Sequence, residues 1–485
     1  MTKITKMMVF VLVGLLLLGT MVSAAEEEIT LKVWDWSDNE VDWLAKIIDQ
    51  YESQNPNITI QHDSFSIPRY NEMIPMVVRS GEAPDIHGTG SALQLSTLVE
   101  MGWFQPMDPY IEELYPGGVE AFKGRFTDTS FVEGINVFDG HIYTLPKYKA
   151  VGTPGGVLLF YNKDIFKEAG LDPERPPKTW GELREYAKKI TDAGNGDYYG
   201  FIMGGKQNNR WSGILGSLAK VAGAAGRVDP TTLNGFNFKT GKYEFEADNM
   251  VKAVEFFKSM YNDGSFFPGF EALNALNARA RFGAGEAGFI IQGKWCIRNW
   301  RNDNPDLDFG IAFLPVPDEG RGGYISKSPD ASLAWALGLS SQSKHPKEAM
   351  EFLIYRTSDE AFASYNELGV NISPVPAANT EDNIDPYMYQ IDQLAQVNTK
   401  TIPLPVVENP AASIVIGKMK TVSPTYEEVL QGSFMGMMDY TTAAKRLSEQ
   451  MNKELDRAIK EAQNEGVDVS REDFTFPDWN PLENY

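Results

Sequence analysis

Residues Ile29–His62, ITLKVWDWSDNEVDWLAKIIDQYESQNPNITIQH, carry a complete strand, helix and strand in 34 positions. Ile29–Trp34 alternates apolar and polar side chains among β-formers and reads as a strand. Ser37-Asp38-Asn39-Glu40 then has the spacing of a capping box, and Val41, Leu44, Ile47, Ile48 and Tyr51 fall on one helical face. Asn55-Pro56 stops that helix, because the residue before a proline is pushed out of the helical region. Ile58–His62 is the returning strand. Strand, helix, strand is the repeat unit of layered α/β proteins, so the opening points to a mainly parallel sheet flanked by helices.

The alternation continues along the chain. Val157–Tyr161 is an apolar strand and Asp164–Ala169 a short helix closed by Gly170. Thr179-Trp180-Gly181-Glu182 caps a helix whose apolar face is Leu183, Tyr186, Ala187 and Ile190. Ala287–Ile291 and Phe309–Phe313 read as strands, Ser332–Leu339 is apolar throughout, and Pro346 suits the first turn of a helix through Phe352 and Ile354. The last long helix places Ala444, Leu447, Met451, Leu455, Ala458 and Ala462 three and four residues apart. Beyond it, Gly466–Tyr485 reads as an extended tail. With 485 residues, two large lobes are expected rather than one domain.

The first two dozen residues differ from the rest. Lys3 and Lys6 precede an apolar run from Met7 to Leu18, and small residues follow through Ser23, Ala24 and Ala25. That order is the layout of a signal peptide, with cleavage expected after Ala24 or Ala25, and the apolar run is too short to span a bilayer comfortably. No cysteine stands at the junction for acylation; Cys296 is the single cysteine, reads as a small apolar core residue, and leaves no intrachain disulfide. A formal net charge of −22 repels nucleic acid and anionic lipid, and loss of Lys3 and Lys6 makes it more negative still.

The usual catalytic signatures are missing. Gly200–Lys206 and Gly288–Lys294 each carry glycine, four residues, then Gly-Lys, but Gln207 and Trp295 stand where a phosphate loop needs the hydroxyl that holds magnesium. His62, His87, His141 and His345 are isolated, so no paired imidazoles suggest a metal, and there is no nucleophile elbow. The 66 acidic residues allow many pairings for glycoside hydrolysis and single out none.

Aromatic and polar residues at strand ends remain, where open α/β sheets bind ligands. Trp34-Asp35-Trp36 ends the first strand, Trp211 follows the polar run Lys206–Arg210, and Trp295 follows Gly293 beside Gln292, Lys294 and Arg298. A sugar ring has an apolar C–H face that packs on an indole and a rim of hydroxyls that needs carboxylate, amide or guanidinium partners. Trp36, Trp211 and Trp295 are therefore expected to bind; Trp34 is balanced between binding and packing, and Trp180 is expected in the core.

Asp139–Pro146 (DGHIYTLP), Val157–Ala169 (VLLFYNKDIFKEA) and Pro177-Lys178-Thr179-Trp180 resemble the first inter-lobe crossing of the extracellular solute-binding proteins of carbohydrate ABC importers, the maltodextrin-binding kind. Gly81–Asp85 (GEAPD), Gly285–Trp295 (GEAGFIIQGKW), Phe309–Pro317 and Ser340–Phe352 (SSQSKHPKEAMEF) are similar to further landmarks in the same order, from about Ile29 to about Glu465. The resemblance implies two α/β lobes joined by hinge strands that close on a ligand. It divides the chain into a signal peptide at 1–25, first-lobe segments at 26–150 and 327–374, second-lobe segments at 151–326 and 375–466, and a tail at 467–485. It implies ligand contacts at Trp34, Asp35, Trp36, Lys206, Asn208, Trp295 and Tyr426, and Arg69, Asp85, Lys147, Trp211, Gln292 and Trp335 complete the expected set. His87-Gly88-Thr89-Gly90 and Thr425 depart from maltodextrin binders, which points away from maltodextrin itself. The implied protein is a periplasmic monomer that captures a sugar, meets permease subunits, and needs no metal or cofactor. A secreted carbohydrate-active lyase or hydrolase, or a binder of a non-sugar ligand, are the alternatives.

Overall fold

The structure, a computed structural model, describes residues 28–90, 94–149, 158–226, 233–327, 336–380 and 382–485. The leader expected at 1–25 and Trp335 lie outside them. Strand β1 (Ile29–Asp35), helix α1 (Val41–Gln54) and strand β2 (Ile58–Ser64) form in the expected order, and β1 pairs with β2 in parallel from Ile29↔Ile58 to Asp35↔Ser64. Helix α2 (Ile67–Ser80) leads to β3 (Ile86–Gly88), parallel to β1 on its other side. The second sheet is built from β4 (Leu158–Asn162), β5 (Tyr199–Ile202), β6 (Ala287–Gln292) and β7 (Phe309–Phe313); β8 (Leu337–Leu339) returns to the first. The two strand orders are β8-β3-β1-β2 and β7-β4-β6-β5.

The first sheet is mainly parallel, with β8 alone reversed against β3. The second is mixed, because β4 runs against both β6 and β7. Strand β4 is buried at all five positions, which matches its unbroken apolar sequence and its place inside the sheet. Two large cores sit around the two sheets, one including Leu31, Val33, Trp43, Ile47 and Phe352, the other Phe160, Phe201, Ile290 and Phe313. Each such buried side chain contributes about 1.5–3 kcal/mol relative to exposure, so each lobe has its own source of stability.

Two local expectations are corrected. Ser37 makes no side-chain cap; Asp38–Glu40 instead forms a 3₁₀ turn, and the Glu40 carboxylate is buried, accepting from the Tyr365 hydroxyl at 3.1 Å and pairing with Lys147 at 3.1 Å and Arg356 at 3.4 Å. The buried face of α1 is Trp43, Leu44, Ile47, Ile48 and Tyr51, with Val41 turned outward. Nor is the segment after Gly466 an extended tail. Phe474 and Trp479 are buried, and the Phe476 amide donates to the Phe238 carbonyl at 2.6 Å, because its aromatic residues have a core to enter.

The remaining helices used below are α3 (Trp180–Gly194), α4 (Asn208–Val221), α5 (Ala275–Gly283), α6 (Cys296–Asp303), α7 (Tyr426–Phe434) and α8 (Tyr440–Asn464). Trp180, at the head of α3, is buried and stacked on Phe256 at 4.7 Å, as expected of a core residue.

Candidate ligand-binding cleft

The C-terminal ends of β1 and β3 lie at one edge of the first sheet, and the end of β6 lies at an edge of the second beside the start of β4. Four polar contacts join the lobes near these edges. Arg298 Nη2 pairs with Asp42 at 2.8 Å and Arg298 Nη1 donates to the Leu368 carbonyl at 2.8 Å. Arg279 Nη1 meets Asp38 at 3.5 Å, and Asn299 donates to Asp38 Oδ2 at 3.3 Å.

On the first lobe, Trp36 is half-buried and tilted against Tyr70 with centroids 5.0 Å apart. It lies over Gly88, where an added Cβ would sit 2.0 Å from the indole, so only glycine fits that position on β3. Trp34 is also half-buried, donates from its indole to Asp63 at 3.1 Å, and meets Phe65 edge to face at 5.0 Å. Arg69 is exposed, with its guanidinium 5.7 Å from the Phe65 ring. This wall is therefore aromatic, with Phe65 and Tyr70 added to the tryptophans expected there.

On the second lobe, Trp295 caps the N-terminus of α6 and is half-buried. Its ring folds back over Gly293, where an added Cβ would lie 2.0 Å away. The Arg210 guanidinium stands 6.0 Å from the Trp295 centroid, donating to Gln292 Oε1 and Asn209 Oδ1 at 3.3 Å each. Burial pulls Arg210 down to about 10, with neighbouring Cys296 opposing and Arg279 reinforcing that effect. Arg279 reaches Cys296 Sγ at 3.9 Å, and burial pushes that thiol up to about 11.

These contacts bring the two walls together. Asp38, two residues after Trp36, touches Arg279, which touches Cys296, the residue after Trp295. Through Asp38 and Arg279 the segment that carries Trp36 is thus tied to the one that carries Trp295, while Gln292, which accepts from Arg210, is only 1% exposed. Lys206 and Asn208 are exposed at the head of α4, and Asn208 accepts from Gln431 at 3.1 Å.

Several expected contacts face elsewhere. Trp211 is only 1% exposed, donates to the Gly205 carbonyl at 2.8 Å, and packs on Phe434 at 5.0 Å; one helical step past Arg210, it faces the core. Tyr426 is buried against Phe245 at 4.6 Å and borders a small cavity of about 40 Å³ with Lys220, three turns along α4 from Asn208. Asp85 accepts from the Lys32 amide at 2.9 Å and the Ser343 hydroxyl at 2.7 Å at the start of β3, the opposite end of that strand from Gly88 and Trp36. Asp35 is 4% exposed and accepts from the Ser37 amide; burial opposes its ionisation, yet the His62 hydrogen bond and charge, with Lys147 and Ser64, hold its carboxyl below the ordinary value. Lys147 donates to Ser37 Oγ at 2.5 Å and pairs with Glu40, bracing the crossing segment.

The residues overlooked in the sequence are Arg210, Arg279, Asp38, Phe65 and Tyr70. Arg210 stood inside the polar run already singled out, and Asp38 inside the Ser37–Glu40 box, noted there only for its spacing; Phe65, Tyr70 and Arg279 carry no local signal. Among the described residues, no group of three or more His, Cys, Asp and Glu side chains gathers as a metal site would require.

Two sheets with separate large cores, joined by the contacts of Arg279, Arg298 and Asn299, form a two-lobe α/β architecture. A family model for bacterial extracellular solute-binding proteins matches residues 37–361, and the chain belongs to that family. A putative binding protein of Brucella abortus is 25% identical over 385 residues, covering 79% of this chain and 84% of its own. The sn-glycerol-3-phosphate-binding periplasmic protein of Pectobacterium atrosepticum is 23% identical over 366 residues, 74% of this chain and 75% of its own. The fold is shared with an ABC transporter solute-binding protein of Thermotoga lettingae bound with α-D-tagatose, at a TM-score of 0.65 and 21% identity, covering 88% of this chain and 99% of that one. Among the described residues, no helix is long and apolar enough to cross a membrane.

Proposed function

We propose that this protein binds a sugar or oligosaccharide between its lobes, without chemistry, and delivers it to the permease subunits of an ABC importer. The observation that carries this reading is the pair of half-buried tryptophans, Trp36 and Trp295, on facing lobes and linked through Asp38, Arg279 and Cys296. Indole faces take the C–H surface of a pyranose while Arg210, Gln292 and the exposed Lys206 and Asn208 meet its hydroxyls. The Thermotoga solute-binding protein bound with α-D-tagatose supports a sugar as the ligand. Export by the leader at 1–25, cleavage after Ala24 or Ala25, a periplasmic location and a monomeric state complete the proposal, as do lobe segments at 26–150, 151–326, 327–374 and 375–466.

Ligand contacts that exist only when the lobes meet shift the population toward the closed form. A thermal-shift screen of mono- and oligosaccharides tests this directly, because a ligand that binds only the folded chain raises its melting temperature. A rise with at least one sugar, with that sugar recovered unaltered, is expected. No rise across the panel, or release of a cleaved product, overturns the proposal.

A further inference from the structure

The second lobe holds a cation, Arg210, with no counter-ion among the described residues. Arg210 has neutral amide partners in Gln292 and Asn209, and among the described residues no carboxylate pairs with it. Arg279, a second guanidinium whose charge acts on Arg210, has Asp38 at 3.5 Å as its own acid. Arg279 therefore has a carboxylate partner and Arg210 only amides, in a chain whose acids outnumber its bases by 66 to 44. A partly buried guanidinium with no carboxylate partner among the described residues is stabilised when an anion pairs with it. A neutral sugar needs no such arrangement, since amides and carboxylates satisfy hydroxyls without stranding a charge.

Resting on the saccharide reading above, we propose that the ligand is an acidic saccharide whose ring carboxylate pairs with Arg210 while the ring stacks on Trp295. A planar guanidinium matches a carboxylate in two parallel N–H···O bonds. One unpaired guanidinium balances one negative charge, so a monoanionic carboxylate fits better than a dianionic phosphate, which would leave charge over in a strongly acidic protein.

The test is titration calorimetry on the full mature chain with D-glucuronate, D-galacturonate and D-mannuronate, each as monomer and β-linked or α-linked disaccharide. Each is compared with its parent hexose, its neutral uronamide and its 6-phosphate. At least one uronate is expected to bind about tenfold or more tighter than its parent and its amide. Arg210→Gln is expected to bring uronate and amide to equal affinity, and Arg210→Lys to keep part of the preference; far-ultraviolet circular dichroism checks that both variants fold. If neutral sugars or the phosphates bind as tightly as or tighter than the acids, or if Arg210→Gln leaves the preference unchanged, the inference is wrong and the saccharide cleft stands. If no saccharide of any charge binds, the cleft reading fails with it.

Discussion

Trp211 and Trp295 occupy comparable places on one lobe, each just beyond a strand of the same sheet and each beside polar residues, yet one is sealed and the other half open. Trp211 is the fourth residue of α4, where the helical turn carries it inward onto Phe270 and Phe434 and its N–H closes on Gly205. Trp295 sits before the first turn of α6, and Gly293 leaves room for the ring to lie back over the loop. A tryptophan's role here is set by its phase against the helix that follows the strand, and by the glycine beneath it. The residue before Trp211 on α4, Arg210, is partly buried and lies beside Trp295.

Trp211→Ala has the largest expected effect. Removing a fully buried indole costs about 3–5 kcal/mol of folding free energy. Urea denaturation should show the second lobe losing stability by that amount while the remaining folded fraction binds ligand with little change. Trp295→Ala should do the opposite, leaving the urea midpoint nearly unmoved and weakening sugar affinity at least tenfold, which corresponds to about 1.4 kcal/mol. Calorimetry finding equal affinity for Trp295→Ala and the parent chain would erase the contrast between the two sites.

Lys294, next to Trp295, sharpens the comparison from the hinge side. Its side chain is buried, its Nζ has no hydrogen-bond partner among the described residues, and it lies 4.8 Å from the ring of Tyr148 on the crossing segment. Burial pulls the ammonium down to about 7, with Asp392 opposing and Lys149 assisting. A base with a lowered folded value carries its full charging cost below pH 7 and loses it as pH rises toward 10.5, so stability increases across that window. The slope is at most about 1.4 kcal/mol per pH unit for one proton. Lys220, also drawn down to about 7 by burial, adds its own rise, so the difference between the parent chain and Lys294→Met isolates the hinge contribution. Parallel stability curves for the two between pH 7 and 9 would remove Lys294 from the account.

The fold was legible because its cause is local. The period-two run of β1, the 3.6-residue period of α1 and the proline stop at Pro56 each act over a few residues, and the expected elements from β1 to α8 formed close to their expected bounds. The Ser37–Glu40 box failed because Glu40 found stronger partners in Lys147, Arg356 and Tyr365, all more than a hundred residues away. The proposed site was legible only in part: Trp36 and Trp295 are half-buried at the strand ends that marked them, whereas Asp35, Trp211 and Tyr426 are buried and Asp85 is held by Lys32 and Ser343. Facing is decided by helix phase and by distant neighbours, which spacing along the chain does not record. Asp38 and Arg279 matter only as a pair, 241 positions apart in the chain.

The smallest expected effect concerns the rim rather than the rings. Arg298 lies three residues after Trp295 on α6, is nearly buried, and holds both Asp42 and the Leu368 carbonyl of the other lobe, while Asp42 is largely exposed. Such an exposed ion pair contributes about 0.2–1 kcal/mol, and here that amount acts only when the lobes have met. Arg298→Ala should therefore leave association nearly unchanged and speed ligand release by about two- to fivefold, because affinity differences within one interface reside mostly in dissociation. High salt should produce a partial version of the same change in the parent chain and almost none in the variant. Stopped-flow release rates at low and high ionic strength read both effects; equal rates in parent and variant would mean that the bridge forms without holding the lobes together, leaving Trp295 and its ligand to do so alone.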